Sequence, residues 1–294
     1  MLIKKLLVPL FESPDDRNAI LRAVEVATPL GAHVTAMFSG GHLSELVSAE
    51  PPSYVRVKPH LQIAARTLLA EQVEAARNSF ESLVREHGFT IADAPGADAP
   101  GGHPGATLSF EAHRGLIEAT IREAAVFHDL VVFYRDTEKA EVELQGLTTI
   151  KSALQSCARP LLILPRNLPR PFASTIAIGW NGSIEGAHAV SSALPLLALA
   201  KSVHVLTVTT QKTAVEQAQK LQSYLEWHGI RSEVHSSGRD GATVGATLLG
   251  RVEAVGADLF VLGGYTHSRI RENILGGVTH HVVQHARVPV LLSR

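Results

Sequence analysis

One cysteine in 294 residues, Cys157, rules out an intramolecular disulfide and any cysteine-rich metal centre. That economy fits a reducing cytoplasm. Net charge is nearly absent too: 27 Lys and Arg face 28 Asp and Glu, leaving -1 and no global field to hold nucleic acid or an anionic membrane. Long apolar runs are missing, since Ala193 to Ala200 is far short of a bilayer span and is cut by Lys201. The opening MLIKKLLVPLFESPDD has an apolar core, Leu6 to Phe11, too short for a secretion signal, and no small-residue cleavage site follows. It reads as a first strand.

Several enzyme signatures are lacking as well. No Lys follows a Gly, which removes the phosphate loop of P-loop NTPases; no GxG pair exists for a dinucleotide fingerprint, and no GxSxG elbow for a hydrolase. Fifteen histidines are present, yet no HExxH occurs. His281 and His285, at i and i+4 on an expected helix, form the only arranged pair, and two ligands are too few for a metal site. They read as a polar helix face, and no metal is expected. Cys157 reads as a small buried residue. Ser13-Pro14-Asp15-Asp16 reads as a helix start, with Ser13 as cap, Pro14 at the first helical position and the acids in the first turn.

What is present is a repeat. Residues 129–165 lie without gaps on 258–294, matching Asp129 with Asp258, Gln155 with Gln284 and Pro160 with Pro289. Residues 6–20 lie on 176–190, matching Ser13 with Ser183 and Ala19 with Ala189. The offsets differ, so the first half carries 41 extra residues, assigned to Ser39–His60 and to the Pro, Gly, Ala and Asp run Ala92–Gly105, which reads as a mobile loop. Proline around residues 167–171 marks a linker, giving domains at 1–166 and 171–294.

The second half alternates cleanly: strand 175–180, helix from the cap Ser183 through Leu199, strand 203–208, helix 213–228 ended by Gly229, strand 231–235, helix 242–255, strand 259–262, helix 277–286, strand 289–292. Such alternation predicts an α/β fold, a parallel sheet covered by helices on both faces, whose ligands bind beyond the carboxyl ends of the strands. The loops after residues 180 and 262 are the places to look. The segment GGYTHSRIRENILGGVTHHVV, residues 263–283, leaves a strand and enters a helix at Gly276 and Gly277, where free N–H groups and the helix dipole favour a phosphate. Thr279, Ser268, Arg269 and Arg271 add donors. A turn that needs glycine for positive φ is the competing reading.

Gly263, Thr266, Gly276 and Gly277 stand where G-x-x-G, nine residues, then G-[S/T] stands in the nucleotide-binding members of the universal stress protein family, which this sequence resembles. GYTHSRIRE, GGVT and WNGSIEGAHAV (residues 180–190) resemble that family too, in its tandem form with two UspA-like domains. The resemblance implies two doubly wound, Rossmann-like domains, each with a five-stranded parallel sheet, joined as an intramolecular pseudo-dimer through their fifth strands, Leu161 to Leu164 and Pro289 to Leu292; a further homodimer stays open. It implies ATP or ADP in the second domain, with Asn181 and Val208 near the adenosine part and Gly263, Gly264, Thr266, Ser268, Arg269, Gly276, Gly277, Val278 and Thr279 around the phosphates. Thr266 replaces a glycine, Asn181 an aspartate and Gly277 a hydroxyl residue of the family pattern. The first half has Phe11, Tyr134, Thr137, Leu147 and Thr148 at the corresponding positions, so no site is expected there. Three functions follow: a stress-response sensor of adenine nucleotide, a structural protein binding an unknown protein partner, and, ranked last, a slow ATP hydrolase or nucleotidyl transferase.

Overall fold

The computed structural model describes residues 2–41, 59–92, 105–136, 144–208, 212–238, 241–264 and 277–294. The expected mobile loop at residues 92–105 lies almost wholly outside the described residues.

Contacts divide the chain into two compact units, residues 3–134 with 156–159, and residues 135–155 with 160–294. The first unit holds β1 (Lys5–Leu10), α1 (Asp16–Ala27), β2 (His33–Ser39), α2 (Pro59–His87), β3 (Thr90–Ile91), β4 (Thr107–His113), α3 (Ile117–Ala125) and β5 (Leu130–Arg135), with strands in the order β3-β4-β2-β1-β5. All of these neighbours are parallel. Leu6, Leu7 and Val8 of β1 are fully buried, as a strand covered on both faces requires.

The second unit holds α4 (Leu144–Ser156), β6 (Leu161–Pro165), β7 (Thr175–Gly179), α5 (Ile184–Leu197), β8 (Ser202–Val208), α6 (Lys212–Trp227), β9 (Glu233–Ser237), α7 (Val244–Ala254), β10 (Leu259–Gly263), α8 (Gly277–His285) and β11 (Val290–Ser293). Its strands run β6-β11-β10-β7-β8-β9. Five are parallel, as expected for the second half; β6 pairs antiparallel with β11, placing Leu162 opposite Leu291 and Ile163 opposite Val290. The two apolar fifth strands therefore do meet.

Equivalent aspartates tie each sheet together. Asp129 accepts the backbone N–H groups of Lys4 and Lys5 at 2.8 and 3.0 Å, and Asp258 accepts those of Ser174 and Thr175 at 3.0 and 3.1 Å. Each thus anchors the entry of one strand to the entry of the strand beside it.

Three expectations need correction. The extra length of the first half is partly helix: α2 has 29 residues where its counterpart α6 has 16. The start of α1 is also built differently, because Pro14 precedes the helix and Asp16, its first residue, turns its carboxylate back to the N–H groups of Phe11 at 2.9 Å and Ser13 at 3.2 Å. Ser13 Oγ takes the Asp15 N–H at 3.2 Å. Cys157 is half-buried, not buried like its counterpart Ala286, and burial pushes its thiol pKa up, away from the reactive thiolate.

Candidate functional site

From β7 the chain moves to β8 and β9 on one side and then crosses back to β10 on the other, so the carboxyl ends of β10, β7 and β8 form a topological switch point. Gly179 pairs with Leu262, so the loop after β7 stands beside Gly263 and Gly264. Ser183 caps α5, as its sequence position predicts, by accepting the Gly186 N–H at 3.1 Å. Asn181 Oδ1 accepts the Ser183 N–H at 3.1 Å, which folds the loop and leaves the exposed carboxamide NH2 outward. Val208 ends β8, half-buried. Gly277 begins α8 exposed, followed by half-buried Val278 and buried Thr279. Seven of the expected residues thus gather at one edge of the sheet. Thr266, Ser268, Arg269 and Gly276 lie outside the described residues.

The glycines differ in what they are for. At Gly263 a Cβ would stand 2.4 Å from the backbone nitrogen of Gly186, so glycine there lets β10 pack against the start of α5. A Cβ on Gly264 would first meet the end of the Leu154 side chain, at 2.7 Å. At Gly277 a Cβ would meet nothing within 4 Å among the described residues, and the backbone is not left-handed. Among the described residues nothing near that glycine requires it for folding.

A cleft of about 590 Å³ opens between α5 and α6, lined among others by Trp180, Gly182, His188, Gln217 and Lys220. It shares the loop after β7 with the switch point but contains none of the glycines of β10 and α8. In the first unit the corresponding strand ends carry aromatic bulk, with the rings of Phe11 and Phe133 centred 6.3 Å apart.

His281 and His285 lie against each other on α8. Their rings stack at 4.3 Å, the His285 Nδ1–H donates to the His281 carbonyl at 2.8 Å, and His281 packs where a Cβ on Gly245 would come within 2.9 Å. A different trio was not seen in the sequence: His204 on β8 with Glu233 and His235 on β9, whose ligand atoms lie within 4.8 Å of one another. Burial, with His235 beside it, holds the His204 imidazole below its usual pKa and therefore neutral at neutral pH. Period-two spacing of Glu233 and His235 on a weak strand was the available signal; the strand register that adds His204 was not.

A doubly wound parallel α/β protein with a loop-built carboxyl edge is the class that this fold and site define. The model of the universal stress protein family matches residues 173–294, so the second domain is of that family's type. The same fold runs the whole length. A universal stress protein from Archaeoglobus fulgidus superposes with a TM-score of 0.67 at 13% identity, covering 99% of this chain and 98% of its own. PA1789 of Pseudomonas aeruginosa, described as functionally unknown, superposes at 0.60 with 12% identity, covering 99% and 92%. A putative universal stress protein from Pseudomonas aeruginosa UCBPP-PA14 gives 0.59 at 14%, covering 99% and 93%. No curated protein sequence matches the chain. Among the described residues no helix is long and apolar enough to cross a membrane.

Proposed function

We propose that the domain at residues 171–294 binds one adenine nucleotide, ATP or ADP, and that the protein acts as a binding module of the stress response in the cytoplasm. The observation that carries the reading is Gly277. A glycine with ordinary φ and nothing near its Cβ position among the described residues weakens the start of its helix, by up to ~1 kcal/mol relative to alanine. Close approach of a phosphate to the unpaired N–H groups of the first turn supplies the missing reason. Asn181 and Val208, at the ends of the neighbouring strand elements, are positioned to face the adenosine part, with the Asn181 NH2 as a donor. Thr266, Ser268, Arg269 and Gly276 complete the phosphate loop in this reading.

The test is calorimetric titration of the full chain with ATP and with ADP, beside mass spectrometry of small molecules released from the native protein. One saturable site that is weakened in Gly277→Val supports the reading. No binding, or binding indifferent to that substitution, removes it in favour of a ligand-free, partner-binding role.

A further inference from the structure

The edge of the second unit holds a separate constellation. Strands β8 and β9 are parallel, with His204 in register with Glu233 and Leu206 with His235. Glu233 and His235, two residues apart, share one face of β9, and His204 reaches the same face from β8. The Nδ1 of His204 lies 3.0 Å from Nε2 of His235, and each of these nitrogens is 3.7 Å from Oε2 of Glu233. A point equidistant from three atoms so spaced is about 2.0 Å from each, which is the zinc–imidazole and zinc–carboxylate bond length. An ion lifted slightly out of their plane would be held at about 90° between the two nitrogens and about 125° between each nitrogen and the carboxylate, a distorted three-ligand set with a fourth position facing the solvent, because Glu233 is 73% exposed.

We propose that His204, Glu233 and His235 form a binding site for a divalent transition ion of the zinc class. The site is independent of the nucleotide reading, since it lies at the third residue of β8 and the first and third of β9, away from the carboxyl ends of the strands. Two imidazoles and one carboxylate favour zinc over calcium or magnesium, which take all-oxygen shells. Without an ion, the 3.0 Å contact is a hydrogen bond in which one imidazole N–H donates to the other ring. With it, both nitrogens present lone pairs to the metal, and the ring that had donated carries its proton on its other nitrogen instead. Because β9 ends the sheet, the ion would fasten an edge strand to its neighbour.

The experiment titrates the full chain, first stripped with a chelator, with zinc chloride in a calorimeter, and repeats the titration with cobalt(II), whose visible absorption reports four-coordination. One saturable site is expected, with a rise in melting temperature on zinc addition. His235→Ala and Glu233→Gln alter exposed or half-buried positions; His235→Ala should weaken zinc by about tenfold or more, the least that changes around a ligand cost, and erase the four-coordinate cobalt spectrum. Glu233→Gln should weaken zinc in the same direction. His285→Ala should change neither. Absence of saturable binding, an unchanged affinity in His235→Ala, or loss in His285→Ala instead would overturn the proposal.

Discussion

Asp258 holds the Ser174 and Thr175 N–H groups in the same way as Asp129 holds those of Lys4 and Lys5, so the two residues do one job 129 positions apart. The repeat is thus carried by a bond pattern as well as by residue letters. Burial raises the pKa of the Asp258 carboxyl while the two N–H groups oppose the rise.

Asp258→Ala leaves two strand-entry N–H groups without their acceptor at a position only 9% exposed. Unsatisfied buried donors cost about 1–3 kcal/mol. Urea unfolding should show a loss in that range, and a change under about 0.5 kcal/mol would mean that solvent replaces the aspartate without penalty.

Gly263 and Gly277 should separate folding from binding. Gly263→Ala forces a Cβ to 2.4 Å from the backbone of α5, a contact that side-chain motion cannot relieve, so a loss of about 1–3 kcal/mol or more is expected. Gly277→Ala meets nothing within 4 Å among the described residues; it should leave the melting temperature equal or higher and weaken ADP. If both variants lose stability alike, the distinction fails.

Asp16 should set a pH dependence. Its carboxyl is pushed up to about 6, chiefly by burial. A folded-state pKa above the unfolded one means that the native state holds the extra proton. This contribution to stability is therefore full below about pH 4 and is lost as pH rises through about 6. The difference is on the order of 3 kcal/mol. Asp16→Asn should flatten the stability profile between those values, measured by urea midpoints at a series of pH. An unchanged slope would assign the titration to another group.

Nucleotide stoichiometry should be one per chain. The second half has Gly263 and Gly277 at its strand and helix ends, while the first half has Tyr134 and Thr148 at the matching sequence positions and the Phe11–Phe133 ring pair. Two equivalent sites in a calorimetric titration would contradict the asymmetry.

Much of the second half was legible because its helices alternate with apolar strands at regular spacing and are punctuated by caps. Ser183 caps α5 as read, and the strand ends fall within about two residues of expectation. The edge strand moved most, from 231–235 to Glu233–Ser237, since a half-exposed strand lacks the apolar run that marks a central one. The start of α1 was misread because Ser-Pro-Asp-Asp fits a capped helix equally well, and only the fold shows Asp16 turned back to Phe11. His204 escaped notice because 29 residues separate it from Glu233 in the chain, and only strand register makes them neighbours.

The pairing of β6 with β11 has a practical corollary for dissection. Severing the chain at residues 167–171 would strip β11 of its antiparallel cover and leave Val290, Leu291 and Leu292 on a raw, uncharged sheet margin. Such margins recruit other strands. A fragment of residues 171–294 should therefore self-associate, most simply through β11 of two copies, whereas one that begins ahead of α4 brings its own cover and should stay monomeric by comparison.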